Sequence, residues 1–127
     1  MVELAIVLPV LFLITFICID VGSSAGGYLV LSNAARAGAD YGATHRFTNY
    51  SEAAWEGRIV RAIQQEMANL KRYDPGALQT SISTSTNADG TIQVVVDLRY
   101  TYRTAVSWTA FPTSIPLHSR VEMRQYQ

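Results

Sequence analysis

The sequence predicts an α+β protein with a long N-terminal hydrophobic helix, a second amphipathic helix and a three-stranded antiparallel sheet. Three patterns predict this fold class. Leu4–Ile19 is an uncharged apolar run, apolar residues between 55 and 70 recur at steps of four and three, and Thr91–Arg103 alternates with period two. We therefore expect a hydrophobic stem at residues 1–45 and an α+β globular head at residues 46–127.

The apolar run predicts a helix that needs a membrane or an equivalent apolar environment. Leu4–Ile19 would rise roughly 24 Å as a helix, and its flanks extend it toward the ~30 Å of a hydrocarbon core. Before Arg36 only Glu3 and Asp20 are charged. Three interpretations follow: a secretory signal, a membrane anchor, or a mature N-terminus from which a basic leader has been removed.

Small residues follow the apolar run at intervals of four. Gly22, Gly26, Ala34, Gly38 and Gly42 lie on this ladder. Small residues four apart let helix backbones approach closely, so the ladder indicates helix–helix packing. The alternative is a glycine hinge at 22–27 between stem and head. If the helix is continuous from residue 1 to about residue 43, it is roughly 60 Å long.

A second helix begins after Ser51, which is a favourable N-cap residue. Its apolar stripe predicts one buried face. Asp74-Pro75-Gly76 is expected to end this helix. The stripe consists of Trp55, Ile59, Ile63, Met67 and Leu70.

Three alternating segments predict an antiparallel meander. Leu78–Thr86 and Thr91–Arg103 flank the turn residues 87–90, and a third strand covers Ile115–Arg124. Pro116 places the third strand at a sheet edge, or marks its start. The apolar face of this sheet needs cover, which the second helix and the polar half of the first can provide.

The composition argues against several functional classes. Ten Lys and Arg balance ten Asp and Glu, which disfavours nucleic-acid binding. The single cysteine, Cys18, excludes an internal disulfide or a multi-thiolate metal site. We expect no catalytic residues, no cofactor and no metal, and therefore no enzyme. An anchored enzyme would need His45 or His118 to meet acidic residues in a pocket. Asn49 begins a weak glycosylation sequon.

Three segments resemble a known family. They are VELAIVLPVLFLI at the N-terminus, SNAARAGADYGA at Ser32–Ala43 and IPLHSRVEMR at Ile115–Arg124. Together they are similar to the TadE-like pilins and pseudopilins of tight-adherence systems, a branch of the type IV pilus superfamily.

The resemblance implies a prepilin that is cut by a membrane aspartic peptidase and handled by inner-membrane assembly machinery. The glutamate usually stands fifth after the cleavage point, whereas Glu3 is third. Either two residues are missing before it or maturation differs. The implied location is the bacterial inner membrane before assembly, and the extracellular pilus on the cell surface afterwards.

The resemblance further implies a structural pilin, either the main or a minor subunit, that polymerises with itself through its N-terminal helix into an adhesive filament. The alternative is a membrane-anchored binding module or pilus-assembly factor that stays in the inner membrane. The predicted subunit interface comprises Met1, Glu3, Leu4, Val7, Leu8, Leu11, Phe12, Thr15, Phe16, Gly22, Gly26, Ala34, Gly38 and Gly42.

Overall fold

A computed structural model describes residues 2–45, 51–104 and 113–125. It confirms the predicted α+β class, with two helices and one three-stranded antiparallel sheet among these residues. The elements in chain order are α1 (Val2–Thr44), α2 (Glu52–Met67), a short 3₁₀ turn (Pro75–Ala77), β1 (Leu78–Thr86), β2 (Ile92–Arg103) and β3 (Ser114–Arg124).

The first helix, α1, is continuous. Its 43 residues correspond to a rod of roughly 65 Å. Pro9 lies inside it, and residues 22–27 are helical, so the structure has a helix where the alternative interpretation placed a glycine hinge. A single rigid element therefore connects the apolar N-terminal run with the head.

The second helix buries the predicted stripe. Trp55, Ile59, Ile63 and Met67 are buried, and the polar side chains between them face solvent. Ser51 occupies the N-cap position, but its side chain makes no capping hydrogen bond, in contrast to the expectation from its residue type.

This helix ends earlier than predicted. It stops at Met67, and hydrogen bonds of the i→i+3 type from Asn69 and Leu70 tighten its last turn. Asp74 caps the following 3₁₀ turn by accepting a hydrogen bond from the backbone N–H of Gly76 at 3.0 Å. The Asp-Pro-Gly sequence thus begins this short turn and does not end the α-helix.

The sheet is the predicted meander, with strand order β1-β2-β3. Leu78 pairs with Tyr100 at one end of the sheet, and Val94 pairs with Met123 near the other. Pro116 lies in β3, an edge strand, where its missing N–H costs the sheet little. One face of β2 is apolar and points toward the helices, as the period-two pattern predicts.

The second half of α1 packs on α2, β2 and β3, and it shares one hydrophobic core with them. The predicted division at residues 45 and 46 remains a prediction, because α1 belongs in part to this core. Buried core residues are Leu31, Ala34, Ala35, Ala39, Trp55, Ile59, Ile63, Met67, Val94, Val96, Leu98, Tyr100 and Leu117.

The helix α1 runs antiparallel to β2. A Cβ atom built on Gly27 would lie 3.2 Å from Cδ2 of Tyr102, near the end of β2. A Cβ atom on Gly42 would lie 2.9 Å from Cγ1 of Val94, near the start of β2. The head therefore has two poles. The stem-proximal pole is the end at Gly27 and Tyr102, where the exposed half of α1 joins the head, and the distal pole is the end at Gly42 and Val94, beside the C-terminal end of α1.

Side chains from other elements satisfy backbone carbonyls at the distal end of α1. The indole N–H of Trp55 donates to the carbonyl of His45 at 2.7 Å, and the amide of Gln125 donates to the carbonyl of Gly42 at 3.3 Å. The last carbonyls of a helix lack partners within the helix. These two contacts therefore fix the end of α1 to α2 and to the chain after β3.

Candidate functional site

The N-terminal half of α1 forms an apolar surface outside the head. Every side chain from Leu4 to Ile19 is exposed. Among the described residues, the Leu4–Thr44 segment of α1 is the one helix that is long and apolar enough to cross a membrane, and its most apolar window is wholly unburied. An apolar patch of this extent marks a membrane or protein contact in folded proteins.

Most of the predicted interface residues lie on this surface. The structure exposes Leu4, Val7, Leu8, Leu11, Phe12, Thr15 and Phe16. The exposed fraction of these side chains ranges from 69% at Leu4 to 42% at Phe16 among the large apolar ones. None of them contributes to the hydrophobic core.

The hydroxyl groups of this half of α1 are satisfied by the helix itself. Thr15 donates to the carbonyl of Leu11 at 2.8 Å, Ser23 to that of Asp20 at 3.1 Å, and Ser24 to that of Val21 at 2.9 Å. In water these hydroxyls would have solvent partners, whereas in an apolar environment they need internal ones. The arrangement is therefore suited to burial in lipid or among other helices.

The small-residue ladder divides into two groups. Gly22 and Gly26 are exposed, and no atom lies within 4 Å of a Cβ built on either. Ala34, Gly38 and Gly42 are buried inside the chain. The second group was expected to face another subunit, but its surface is already covered by the chain's own head.

Gly38 shows why the buried group must be small. A Cβ atom there would lie 2.7 Å from Cγ1 and 2.9 Å from Cδ1 of Ile63. Gly42 is enclosed in a similar way by Val94, Ile59 and Trp55. These glycines let α1 approach α2 and the sheet, so they have a packing role within the chain. Their predicted intersubunit role stays a prediction.

Several predicted residues cannot be placed as side chains. Met1 lies outside the described residues, and Glu3 is described only as part of the backbone of α1. The Asn49 sequon also lies outside the described residues. Gly27 was missed by the sequence reasoning because it lies off the four-residue ladder, although it is buried against Tyr102 and Leu117.

The outer face of the sheet carries a charged cluster. Asp97 accepts a hydrogen bond from Nε2 of His118 at 3.0 Å, and Nε of Arg99 lies 3.6 Å from its other oxygen. The hydrogen bond from His118 is the main cause that holds the pKa of Asp97 below its usual value, with smaller contributions from the charges of Arg99 and Arg120. The carboxylate is therefore stabilised in its ionised form.

This cluster borders an open groove of about 470 Å³, which Ser81, Arg99 and Arg120 help to line. His118 meets an acidic residue here, as an anchored enzyme would require. However, Asp97 lies between His118 on β3 and Ser81 on β1. His118 is therefore not positioned to take a proton from the hydroxyl of Ser81. The arrangement offers hydrogen bonding and charge at the surface of the groove.

The other histidine has a local role. The ring of His45 stacks on Tyr41, with ring centroids 4.1 Å apart, and its Nδ1 lies 3.0 Å from Oγ1 of Thr44. Within residues 2–45, 51–104 and 113–125, no group of three or more His, Cys, Asp or Glu side chains could hold a metal ion. Cys18 is exposed on the apolar half of α1.

The N-terminal part of the chain matches a known family. Residues 1–40 fit the family model described as TadE-like protein, a match that covers the apolar run and the ladder as far as Gly38. Searches of the curated proteins and of the solved structures give no match. The resemblance stated from the sequence is thereby confirmed for the N-terminal helix: residues 1–40 of this chain are similar to TadE-like proteins, which supports an association with a pilus system.

Proposed function

We propose that this protein is a structural pilin, the main or a minor subunit, that polymerises through α1 into an extracellular adhesive pilus. The observation that carries the proposal is the exposed apolar half of α1, which continues as a rigid helix into the core of the head. The TadE-like match of residues 1–40 supports a role in a pilus system. The role is structural and not catalytic.

The apolar half of α1 can use two environments in succession. Before assembly the inner membrane surrounds it, and afterwards equivalent helices of other subunits replace the lipid. Because lipid tails are as apolar as leucine, this transfer gains little hydrophobic free energy. Close packing and polar pairing must therefore supply the specificity of assembly.

Close packing in this proposal involves Gly22 and Gly26, whose surfaces are open in the single chain. Small residues allow a neighbouring helix to approach, and dispersion then stabilises the contact. Glu3 supplies the polar pairing by meeting the N-terminal ammonium of a neighbouring subunit, which sets the axial register. A heterologous contact repeated without closure produces an open helical filament.

The proposed partners follow from this route. They are further copies of the same chain, a prepilin peptidase that removes a leader, and the inner-membrane pilus assembly machinery. The site of action changes from the inner membrane to the cell surface as the filament grows.

A second candidate function is a membrane-anchored binding module or assembly factor that stays in the inner membrane. The polar groove beside Asp97 and Arg99 on the outer face of the sheet favours it, because it could hold a partner without polymerisation. Electron microscopy of native material distinguishes the two functions. Long fibres of this subunit support the pilin, and dispersed membrane particles support the module.

Gly26→Leu tests the packing step, and Gly57→Leu provides a matched control. Gly57 is also a helical glycine with no atom within 4 Å of a Cβ atom, but it lies on α2 at the head surface. We expect Gly26→Leu to insert into membranes and fold normally while filament yield falls about tenfold or more, as a loss of 1.4 kcal/mol per contact would cause. Equal yields for both variants would contradict the proposal.

Glu3→Ala tests the register step, with Glu52→Ala at the start of α2 as the control. We expect Glu3→Ala to insert into the membrane, since it removes a costly charge from the apolar segment, and yet to impair polymer growth. Quantitative shearing and immunoblotting of surface filaments would measure the effect. Unchanged filament yield would remove Glu3 from the proposed assembly mechanism.

A further inference from the structure

The stem-proximal pole of the head is formed by segments far apart in sequence. Tyr102 lies beside Gly27, where α1 enters the head, and Leu117 contacts the same point. The backbone N–H of Asp74 donates to the hydroxyl of Tyr100 at 3.2 Å, which places the loop after α2 at this pole too. Tyr28, 47% exposed, lies on the same level of α1.

Charges are unevenly distributed between the two poles of the head. In the described residues near the stem-proximal pole, the cations outnumber the acids, whereas the distal pole shows the reverse. The stem-proximal side chains are Lys71, Arg72, Arg99 and Arg103 against Glu66, Asp74 and Asp97, of which Asp97 pairs with Arg99. The distal ones are Arg58, Arg120 and Arg124 against Asp40, Glu52, Glu56, Asp89 and Glu122, of which Glu122 pairs with Arg120.

Three of the stem-proximal cations surround one cavity. Lys71, Arg72 and Arg103 line a space of about 350 Å³ together with Tyr100 and Tyr102. All three cations are exposed, and within the described ranges none of them takes part in a salt bridge. The cavity therefore has an excess of positive charge that a ligand can neutralise.

The carboxylate in this cavity is partly engaged. Oδ1 of Asp74 accepts the hydrogen bond from the backbone N–H of Gly76, so it serves the 3₁₀ turn. One carboxylate carries a single negative charge, so it cannot neutralise three surrounding cations. The site is consequently suited to an anion with several oxygen acceptors, such as a phosphate diester.

Arg72 adds an independent observation. It has φ 62°, a left-handed backbone conformation, and it is the one non-glycine residue with positive φ in the part of the chain that the structure describes. This conformation costs an ordinary L-residue stability that glycine would not lose. The chain thus has an arginine beside the cavity at a position where glycine would be more stable.

The geometry of α1 brings this pole close to the membrane surface. If Asp20 marks the edge of the hydrocarbon, Gly27 lies roughly 10 Å beyond it along the helix. The headgroup layer occupies about 5–8 Å of that distance. The cations of the pole are then within one Debye length, about 8 Å at physiological ionic strength, of the headgroup charges.

We propose that the stem-proximal pole binds the headgroups of anionic phospholipids through Lys71, Arg72 and Arg103. This inference rests on the proposed membrane-anchored state that precedes assembly. Binding fixes the height and tilt of the head over the bilayer, so that α1 is presented in one orientation to the next subunit.

The test uses the full chain in nanodiscs of pure phosphatidylcholine or of phosphatidylcholine with about 30% phosphatidylglycerol, which makes the surface anionic. Hydrogen–deuterium exchange is measured for residues 68–74 and 100–104. We expect exchange to be about five-fold slower in the anionic nanodiscs. This factor corresponds to the attraction of a single Lys or Arg side chain to an anionic membrane surface. The difference should disappear at about 0.5 M salt, where screening is strong.

Two triple variants identify the site. Lys71→Gln/Arg72→Gln/Arg103→Gln should abolish the lipid difference. A matched control that removes the same charge elsewhere, Arg58→Gln/Arg61→Gln/Arg124→Gln, should retain it. Equal responses of the two variants, or no lipid difference in the wild-type chain, would overturn the inference.

A further arm of the experiment distinguishes binding of lipid headgroups from binding of a free anion. Inorganic phosphate is added to the phosphatidylcholine nanodiscs, and protection equal to that in anionic nanodiscs would overturn the lipid assignment. A chain that fails to enter phosphatidylcholine nanodiscs would overturn the anchored state itself, and with it the proposed function. Entry without a lipid difference would overturn only this inference.

Discussion

Gly38→Ala adds one methyl group at the closest approach between α1 and α2. The new Cβ atom would lie 2.7 Å from Cγ1 of Ile63, whereas non-bonded carbon atoms are most stable at about 3.5–4.0 Å. Ile63 is fully buried and Ile59 lies beside it, so neither side chain can move into solvent. We therefore expect Gly38→Ala to destabilise the head.

Gly26→Ala on the same helix is the control that separates the energetic cost of the steric clash at Gly38 from the effect of helix propensity. Both substitutions gain the higher helix propensity of alanine, about 1 kcal/mol, but Gly26 has no atom within 4 Å of the new methyl group. The difference between the two variants is therefore the cost of overpacking, about 1–3 kcal/mol. A difference of 1 kcal/mol corresponds to about 4–8 °C in Tm for a domain of this size.

Thermal and denaturant unfolding of the full chain in detergent micelles, followed by tryptophan fluorescence, would measure the difference. Gly38→Leu should enlarge the loss, and Gly26→Leu should leave the head folded. Equal stabilities of Gly38→Ala and Gly26→Ala would refute the conclusion that the ladder is divided into a core group and an exposed group.

Three further predictions concern the head. Trp55→Phe keeps an aromatic ring in the core but removes the donor to the carbonyl of His45 and part of the buried indole, so the free energy of unfolding should fall by at least about 1 kcal/mol in denaturant titrations. Ionised Asp97 stabilises the folded state above the ordinary carboxyl pKa near 3.9, and this contribution is lost as pH falls through its lowered folded-state pKa. Asp97→Asn should therefore lower stability by up to about 1 kcal/mol at pH 7, with a flatter stability profile below about pH 4; an unchanged profile would contradict the pairing with His118. Arg72→Gly should raise Tm, because glycine adopts positive φ with up to about 1 kcal/mol less cost, and a fall in Tm would contradict this account.

Local periodicity was sufficient to predict most of the elements. The stripe from Trp55 to Met67, the alternation in β2 and the edge position of Pro116 all follow from patterns that neighbouring residues impose on one helix or strand. The end of α2 at Met67 was not predictable in this way, because the residues up to Leu70 continue the same spacing.

The sequence by itself determined that the chain has a long apolar helix, a second amphipathic helix and a three-stranded meander, since each rests on local spacing. Only the tertiary structure decided which small residues are used inside the chain, because Gly26 and Gly38 have the same spacing and differ in what packs against them. It also brought Lys71, Arg72 and Arg103 to one cavity. Such a grouping depends on how antiparallel elements align their ends, and no local pattern of residues encodes that alignment.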